Sequence, residues 1–177
     1  LPDLKEAQKR TTNTIDRIDT FTIPEVARMM GRGKTYFIST YGCQANERDS
    51  ETLAGILDEL GFTPNETAEG SDVIIINTCA IRQNAEEKVL GEIGNFKRLY
   101  RENKDLIIGV CGCMAQEEGL VETLLTKYPQ VRLLFGTHNI QELPSMLYSC
   151  MFEGKKVVKI LTFPSHQPKS FYESRPI

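Results

Sequence analysis

The stretch Asp72-Val73-Ile74-Ile75-Ile76-Asn77 decides the fold, because an apolar run closed by polar residues is typical of a strand buried on both faces. Strands of this kind occur in parallel sheets, which need a crossover helix between neighbours. Four more strands are predicted at 35–40, 106–111, 131–135 and 157–161. Apolar residues at helical spacing lie between successive strands, so strand and helix alternate along the chain.

This alternation predicts an α/β fold with three layers and a doubly wound, mostly parallel, five-stranded sheet of the flavodoxin-like or Rossmann-like kind. We expect the domain to span residues 34–161. Residues 1–33 are predicted to form a partly ordered extension, and the proline-containing residues 162–177 a linker. The chain has neither a Gly-x-Gly-x-x-Gly turn after a strand nor a Gly-Lys-Ser/Thr phosphate loop, so its sequence does not support a nucleotide cofactor in this domain.

The composition is that of a globular protein, with 40% hydrophobic and 25% charged residues among 177. No apolar run approaches the roughly 18 residues that a membrane-spanning helix requires. Five cysteines in a chain of this size do not fit a secreted disulfide scaffold. We therefore expect a cytoplasmic protein with reduced thiols and no membrane partner.

The charge is unevenly distributed along the chain. The net charge is −3, but residues 36–153 carry nine basic and eighteen acidic side chains. An acidic body of this kind is expected to make few phosphate contacts. If the protein acts on a nucleic acid, another region must bind it.

Three cysteines follow three successive predicted strands: Cys43, Cys79 and Cys113. Because the carboxyl ends of parallel strands lie along one edge of a sheet, where ligands bind, these thiols are expected to meet in one crevice. The other two cysteines are predicted to be buried core residues, Cys111 inside a strand and Cys150 on an apolar helical stripe.

Three thiols with no nearby histidine favour an iron–sulfur cluster over zinc. Structural zinc usually takes four protein ligands, and catalytic zinc usually includes histidine. The chain has only His138 and His166, and neither lies in the three cysteine turns. Iron–sulfur clusters are normally held by cysteine thiolates, and three ligands would leave one iron of a four-iron cluster open.

Four motifs resemble those of the radical-SAM methylthiotransferases. Residues 41–51 (YGCQANERDSE) are similar to the opening motif of that family, 77–82 (NTCAIR) to its second motif and 112–116 (GCMAQ) to its third. Residues 136–140 (GTHNI) resemble the MiaB-type branch, which modifies tRNA. The resemblance covers about residues 34–160, and four motifs in the same order make a chance match improbable.

The resemblance implies that Cys43, Cys79 and Cys113 hold an auxiliary [4Fe–4S] cluster. Relatives carry a second [4Fe–4S] cluster on a Cys-x3-Cys-x2-Cys motif in a following barrel, where S-adenosylmethionine binds and is cleaved. The family reaction adds a methylthio group to carbon 2 of N6-isopentenyladenosine beside the tRNA anticodon. The present sequence lacks the Cys-x3-Cys-x2-Cys motif. We therefore expect a fragment without catalytic residues of its own, whose tRNA substrate is bound mainly by other domains of the same polypeptide.

Three polar residues beside the cysteines could hydrogen-bond cluster sulfides or substrate: Asn46, Asn77 and Arg82. The asparagines could equally serve turn formation, and Arg82 could be a solvated charge. Two alternatives to the tRNA enzyme stay open. One is a methylthiotransferase domain that acts on a ribosomal protein, and the other is a non-enzymatic metal-binding module with three cysteines.

Overall fold

A single sheet of six parallel strands forms the centre of the computed structural model, which describes residues 28–79 and 83–160. In chain order the strands are β1 (Thr35–Thr40), β2 (Thr63–Pro64), β3 (Val73–Thr78), β4 (Ile107–Gly112), β5 (Val131–Phe135) and β6 (Val157–Lys159). Their spatial order is β2-β1-β3-β4-β5-β6. This is the flavodoxin-like order with one more strand at the far edge. The predicted doubly wound parallel fold is confirmed.

Helices cover both faces of the sheet, which gives the predicted three layers. They are α1 (Gln44–Glu59), α2 (Gln83–Glu102), α3 (Glu118–Lys127) and α4 (Leu143–Phe152), with 3-10 turns at Cys113–Gln116 and Thr137–Glu142. Buried side chains of α1 and α4 share one hydrophobic cluster with the sheet. Those of α2 and α3 share the other cluster.

The apolar run of β3 forms the centre of both clusters. Val73 and Ile75 pack on the side of α1, whereas Ile74 and Ile76 pack on the side of α2. All four side chains are at most 1% exposed. Because successive side chains of a strand point to opposite faces, a strand covered on both faces has no polar alternation.

The predicted count of five strands is wrong, because β2 was missed. This strand has two residues, pairs only with the start of β1, and includes Pro64. A proline cannot donate to a ladder and is tolerated at a sheet edge, but it weakens any strand signal in the sequence. The strand predicted at 157–161 ends at Lys159.

The folded part begins before the predicted domain boundary at residue 34. Met30 is 6% exposed and packs in the cluster on the α1 side. The amide of Gly31 donates to the carbonyl of Leu60 at 2.9 Å. Residues 1–27 and the predicted linker at 162–177 lie outside the described residues, so the proposed domain bounds stay predictions. Within the described ranges, no helix combines the length and apolar character needed to cross a bilayer.

Candidate metal centre

Strands β1, β3 and β4 are neighbours, and their carboxyl ends carry the three predicted cysteines. The register pairs Thr40 with Asn77 and Thr78 with Gly112. Cys79 follows Thr78 and Cys113 follows Gly112, so these two cysteines leave the sheet from paired positions. Cys43 stands three residues beyond Thr40, at the N-terminus of α1. Parallel pairing therefore places all three turns at one edge of the sheet, whereas the meeting of the three thiols in one crevice stays a prediction.

Cys43 and Cys79 are side by side at this edge. The Cys79 side chain is near enough to the Cys43 thiol to contribute to its lowered pKa. The Cys43 thiol itself donates to Oδ1 of Asn46 at 3.5 Å. Gly42 makes their approach possible, because a Cβ atom at this position would lie 2.6 Å from Cβ of Cys79. The φ of Gly42 is +132°, a conformation that favours glycine. Cys43 is exposed, whereas Cys79 is 5% exposed.

The Cys43 thiol is activated by its place at a helix start. The backbone N–H groups of Ala45 and Asn46 point at its sulfur and hold its pKa below the usual range for cysteine. A helix N-terminus favours a thiolate in this way, because its free N–H groups stabilise negative charge. Since the thiolate is the form that ligates metals, the lowered pKa of Cys43 favours metal binding by this residue.

Cys113 does not close onto the pair. It is exposed and begins the 3-10 turn after β4. In the part of the chain that the structure describes, no three His, Cys, Asp or Glu side chains gather closely enough to hold a metal ion. The arrangement is therefore unlike the four-ligand cage of structural zinc.

The donor set suits a larger group better than a single ion. Three thiols are the ligands that iron–sulfur clusters take, and a cluster accepts each of them on a different iron. Ligands of a cluster can thus stay farther apart than ligands of one ion. The cysteines in the described ranges are all free thiols, so none is lost to a disulfide.

Two buried asparagines tie the Cys43 turn to the end of β3. The amide of Asn46 donates to Oδ1 of Asn77 at 3.3 Å and to the carbonyl of Thr78 at 3.0 Å. In return, the amide of Asn77 donates to the carbonyl of Asn46 at 2.8 Å and to Oγ of Ser50 at 3.0 Å. Asn46 is 4% exposed and Asn77 is fully buried. These amides are satisfied within the protein, and they hold together the turns on which Cys43 and Cys79 stand.

A second glycine brings the Cys113 turn against β3. Gly112 has a φ of +101°, and a Cβ atom there would lie 2.1 Å from the carbonyl oxygen of Thr78. The hydroxyl of Thr78 donates to the carbonyl of Cys111 at 3.0 Å, which joins the two strand ends. Glycine is required here by both the backbone conformation and the close approach.

Gly42 and Gly112 were not predicted as site residues, although the sequence carries a signal for both. Both stand in a Gly-Cys dipeptide at a strand end, Gly42 two residues after β1 and Gly112 as the last residue of β4. The remaining predicted residues fall in different places. Arg82 lies outside the described residues, and His138 is exposed on the turn after β5. The two cysteines predicted to be core residues are indeed buried, Cys111 at 0% and Cys150 at 1% exposure.

Comparison with known proteins places this α/β domain in a sequence family. Residues 35–136 match the family described as "Uncharacterized protein family UPF0004", and the chain belongs to it. The matched range begins with β1, ends just after β5 and includes all three cysteine turns.

The curated relatives have a more specific name. The chain is 52% identical over 159 residues to the tRNA-2-methylthio-N(6)-dimethylallyladenosine synthase of Staphylococcus saprophyticus, which covers 90% of this chain and 31% of that protein. It is 49% identical to the enzyme of that name from Oceanobacillus iheyensis and 50% to the one from Geobacillus thermodenitrificans, over the same share of this chain. The family resemblance predicted from the motifs is thus confirmed. The chain spans 30–31% of the length of these relatives.

Proposed function

We propose that this chain is the auxiliary iron–sulfur domain of a tRNA methylthiotransferase, with Cys43, Cys79 and Cys113 as ligands of a [4Fe–4S] cluster. One observation carries the proposal: the three thiols stand at the ends of three neighbouring parallel strands, in a chain about half identical to enzymes named for tRNA methylthiolation. By analogy with those names, the substrate is tRNA carrying N6-dimethylallyladenosine, and the product bears a methylthio group at carbon 2.

In the reaction, the residues of this domain would bind the cluster that carries the transferred sulfur. When bound, such a cluster offers an iron without a protein ligand to the sulfur that is transferred. Cys43 would be one of its ligands, and the helix-start position of this thiol favours the thiolate form that binds iron. Asn46 and Asn77 would keep Cys43 and Cys79 in register during turnover, because their amides join the two turns.

We assign the remaining parts of the reaction to other regions of a longer polypeptide. These are the second [4Fe–4S] cluster, the binding of S-adenosylmethionine and most contacts with the tRNA anticodon loop. The acidic charge of residues 36–153 supports this division, since an acidic surface makes few phosphate contacts. A cytoplasmic location suits free thiols that must stay reduced to bind iron.

Anaerobic reconstitution of the chain with iron and sulfide tests the proposal. We expect about four iron and four sulfide per chain, with the absorption of a [4Fe–4S] cluster. Retention of iron without any acid-labile sulfide would instead indicate a metal-binding module, and either this result or a chain that retains no iron would contradict the proposal.

The substrate is tested separately, in a polypeptide that joins this domain to an S-adenosylmethionine-cleaving domain. Mass spectrometry of nucleosides from digested tRNA is expected to show the methylthio product, and alanine at Cys43 is expected to abolish it. Modification of a ribosomal protein with no modified nucleoside would refute the choice of tRNA.

A further inference from the structure

We propose that Tyr41 and Glu92 are positioning residues for the Cys43 thiol, because their hydrogen bond fixes the turn that carries it against helix α2. The inference rests on the proposed function, in which Cys43 is a cluster ligand. The sequence alone does not pair these two residues, since they are 51 positions apart.

Tyr41 is held by hydrogen bonds from both its backbone and its side chain. Its backbone N–H donates to the carbonyl of Asn77 at 2.8 Å, which extends the pairing of β1 and β3 by one residue. Its hydroxyl donates to Oε2 of Glu92 on α2. The hydroxyl of Ser39 donates to the same carboxylate oxygen at 3.2 Å. One carboxylate therefore accepts hydrogen bonds from two side chains at the end of β1.

The acceptor of the Tyr41 hydroxyl is a carboxylate on a helix. A hydrogen bond from a neutral hydroxyl to a carboxylate is stronger than a neutral pair. Glu92 lies in the middle of a 20-residue helix, so it gives the turn a rigid anchor.

The hydrogen bond between Tyr41 and Glu92 lies close enough to Cys43 to determine where the Cys43 thiol stands. Only Gly42 separates Tyr41 from Cys43, and glycine allows the backbone to rotate unless its neighbours are fixed. On the α1 side of the sheet, Asn46 and Asn77 fix the residues that follow. On the α2 side, Tyr41 and Glu92 fix the residues that precede. Without the second contact, the Cys43 turn would be free to pivot at Gly42 and move its sulfur away from Cys79.

The same strand offers a matched control. Tyr36 stands near the opposite end of β1, and its hydroxyl donates to Oδ1 of Asp58 at 2.9 Å. Burial, together with Asp58, raises the pKa of Tyr36 to about 12, so this tyrosine is also a protonated donor to a carboxylate. Tyr36→Phe thus removes an equivalent hydrogen bond far from the thiols, whereas Tyr41→Phe removes the one beside them.

The test compares Tyr41→Phe, Glu92→Gln and Tyr36→Phe in the reconstituted chain, measuring the rate at which a chelator removes iron under anaerobic conditions. We expect Tyr41→Phe to lose iron about fivefold faster than wild type, as suits the loss of one charge-assisted hydrogen bond. Glu92→Gln keeps an acceptor and is expected to have a smaller effect. Tyr36→Phe is expected to lose iron at the wild-type rate, even if its melting temperature falls as much as that of Tyr41→Phe. Equal rates for Tyr41→Phe and Tyr36→Phe would overturn the proposal.

A second measurement does not depend on the cluster. In the cluster-free chain, dibromobimane is expected to cross-link Cys43 to Cys79, as detected by peptide mass spectrometry. We expect the yield to fall about threefold in Tyr41→Phe and to stay unchanged in Tyr36→Phe. A wild-type chain that binds no iron overturns the proposed function, whereas an unchanged cross-link in Tyr41→Phe overturns the positioning role.

Discussion

Alanine at Cys43, Cys79 or Cys113 is expected to reduce the iron retained after reconstitution and desalting by at least about tenfold, for each single variant. Each thiolate would ligate a separate iron, and the other two cysteines of the chain, Cys111 and Cys150, are buried in the core. Loss of one ligand would therefore leave two irons without protein ligands. Iron and acid-labile sulfide per chain are the quantities to measure.

Cys150→Ala is the matched control for this series. Cys150 is 1% exposed on α4, and its thiol donates to the carbonyl of Arg132 at 3.6 Å, away from the three turns. We expect this variant to retain wild-type iron at a small cost in stability. Full iron in any one of the three alanine variants would remove that cysteine from the ligand set.

Gly112→Ala is expected to lower the free energy of unfolding of the cluster-free chain by about 3 kcal/mol. Two costs add at this position. A side chain is strained at a φ of +101°, and its Cβ would lie 2.1 Å from the carbonyl oxygen and 2.9 Å from the amide nitrogen of Thr78. Backbone cannot move aside as a flexible side chain can, so the ends of β3 and β4 would have to separate. Denaturant unfolding measures the change.

Gly119→Ala separates this effect from a general cost of replacing glycine. Gly119 is exposed in the first turn of α3, and a Cβ atom there would meet nothing within 4 Å. We expect a change smaller than about 0.5 kcal/mol, because alanine is favoured in helices. Equal destabilisation by the two substitutions would show that the contact between Gly112 and Thr78 is unimportant.

The parallel sheet could be predicted because its signal is local. The apolar run at β3 is continuous, since both of its faces are covered, and this alone excludes a half-exposed strand. From the parallel arrangement it follows that the residues after β1, β3 and β4 share an edge. The identification of the candidate cysteines therefore depends on this property of parallel sheets rather than on the spacing of the cysteines in the sequence. In contrast, β2 has two residues and a proline, too little for any periodic pattern.

The contacts that position the site could not be predicted, because they join distant residues through space. Asn46 and Asn77 were expected near the cysteines, but that each amide binds the other residue follows only from the packing of α1 on β3. The contact between Tyr41 and Glu92 depends likewise on how α2 lies against β1. A sequence pattern names the residue types near a site, whereas the folded chain decides which of them bind one another.

Alkylation of Cys113 tests the central claim, that three thiols from three strand ends share one cluster, most directly. Cys43 and Cys113 are both exposed in the folded chain, so iodoacetamide is expected to modify both before reconstitution, with Cys43 faster because its pKa is lowered. After anaerobic loading with iron and sulfide, peptide mass spectrometry should show both protected by at least about tenfold. A loaded chain in which Cys43 is protected while Cys113 is alkylated at its original rate would contradict the three-thiol site.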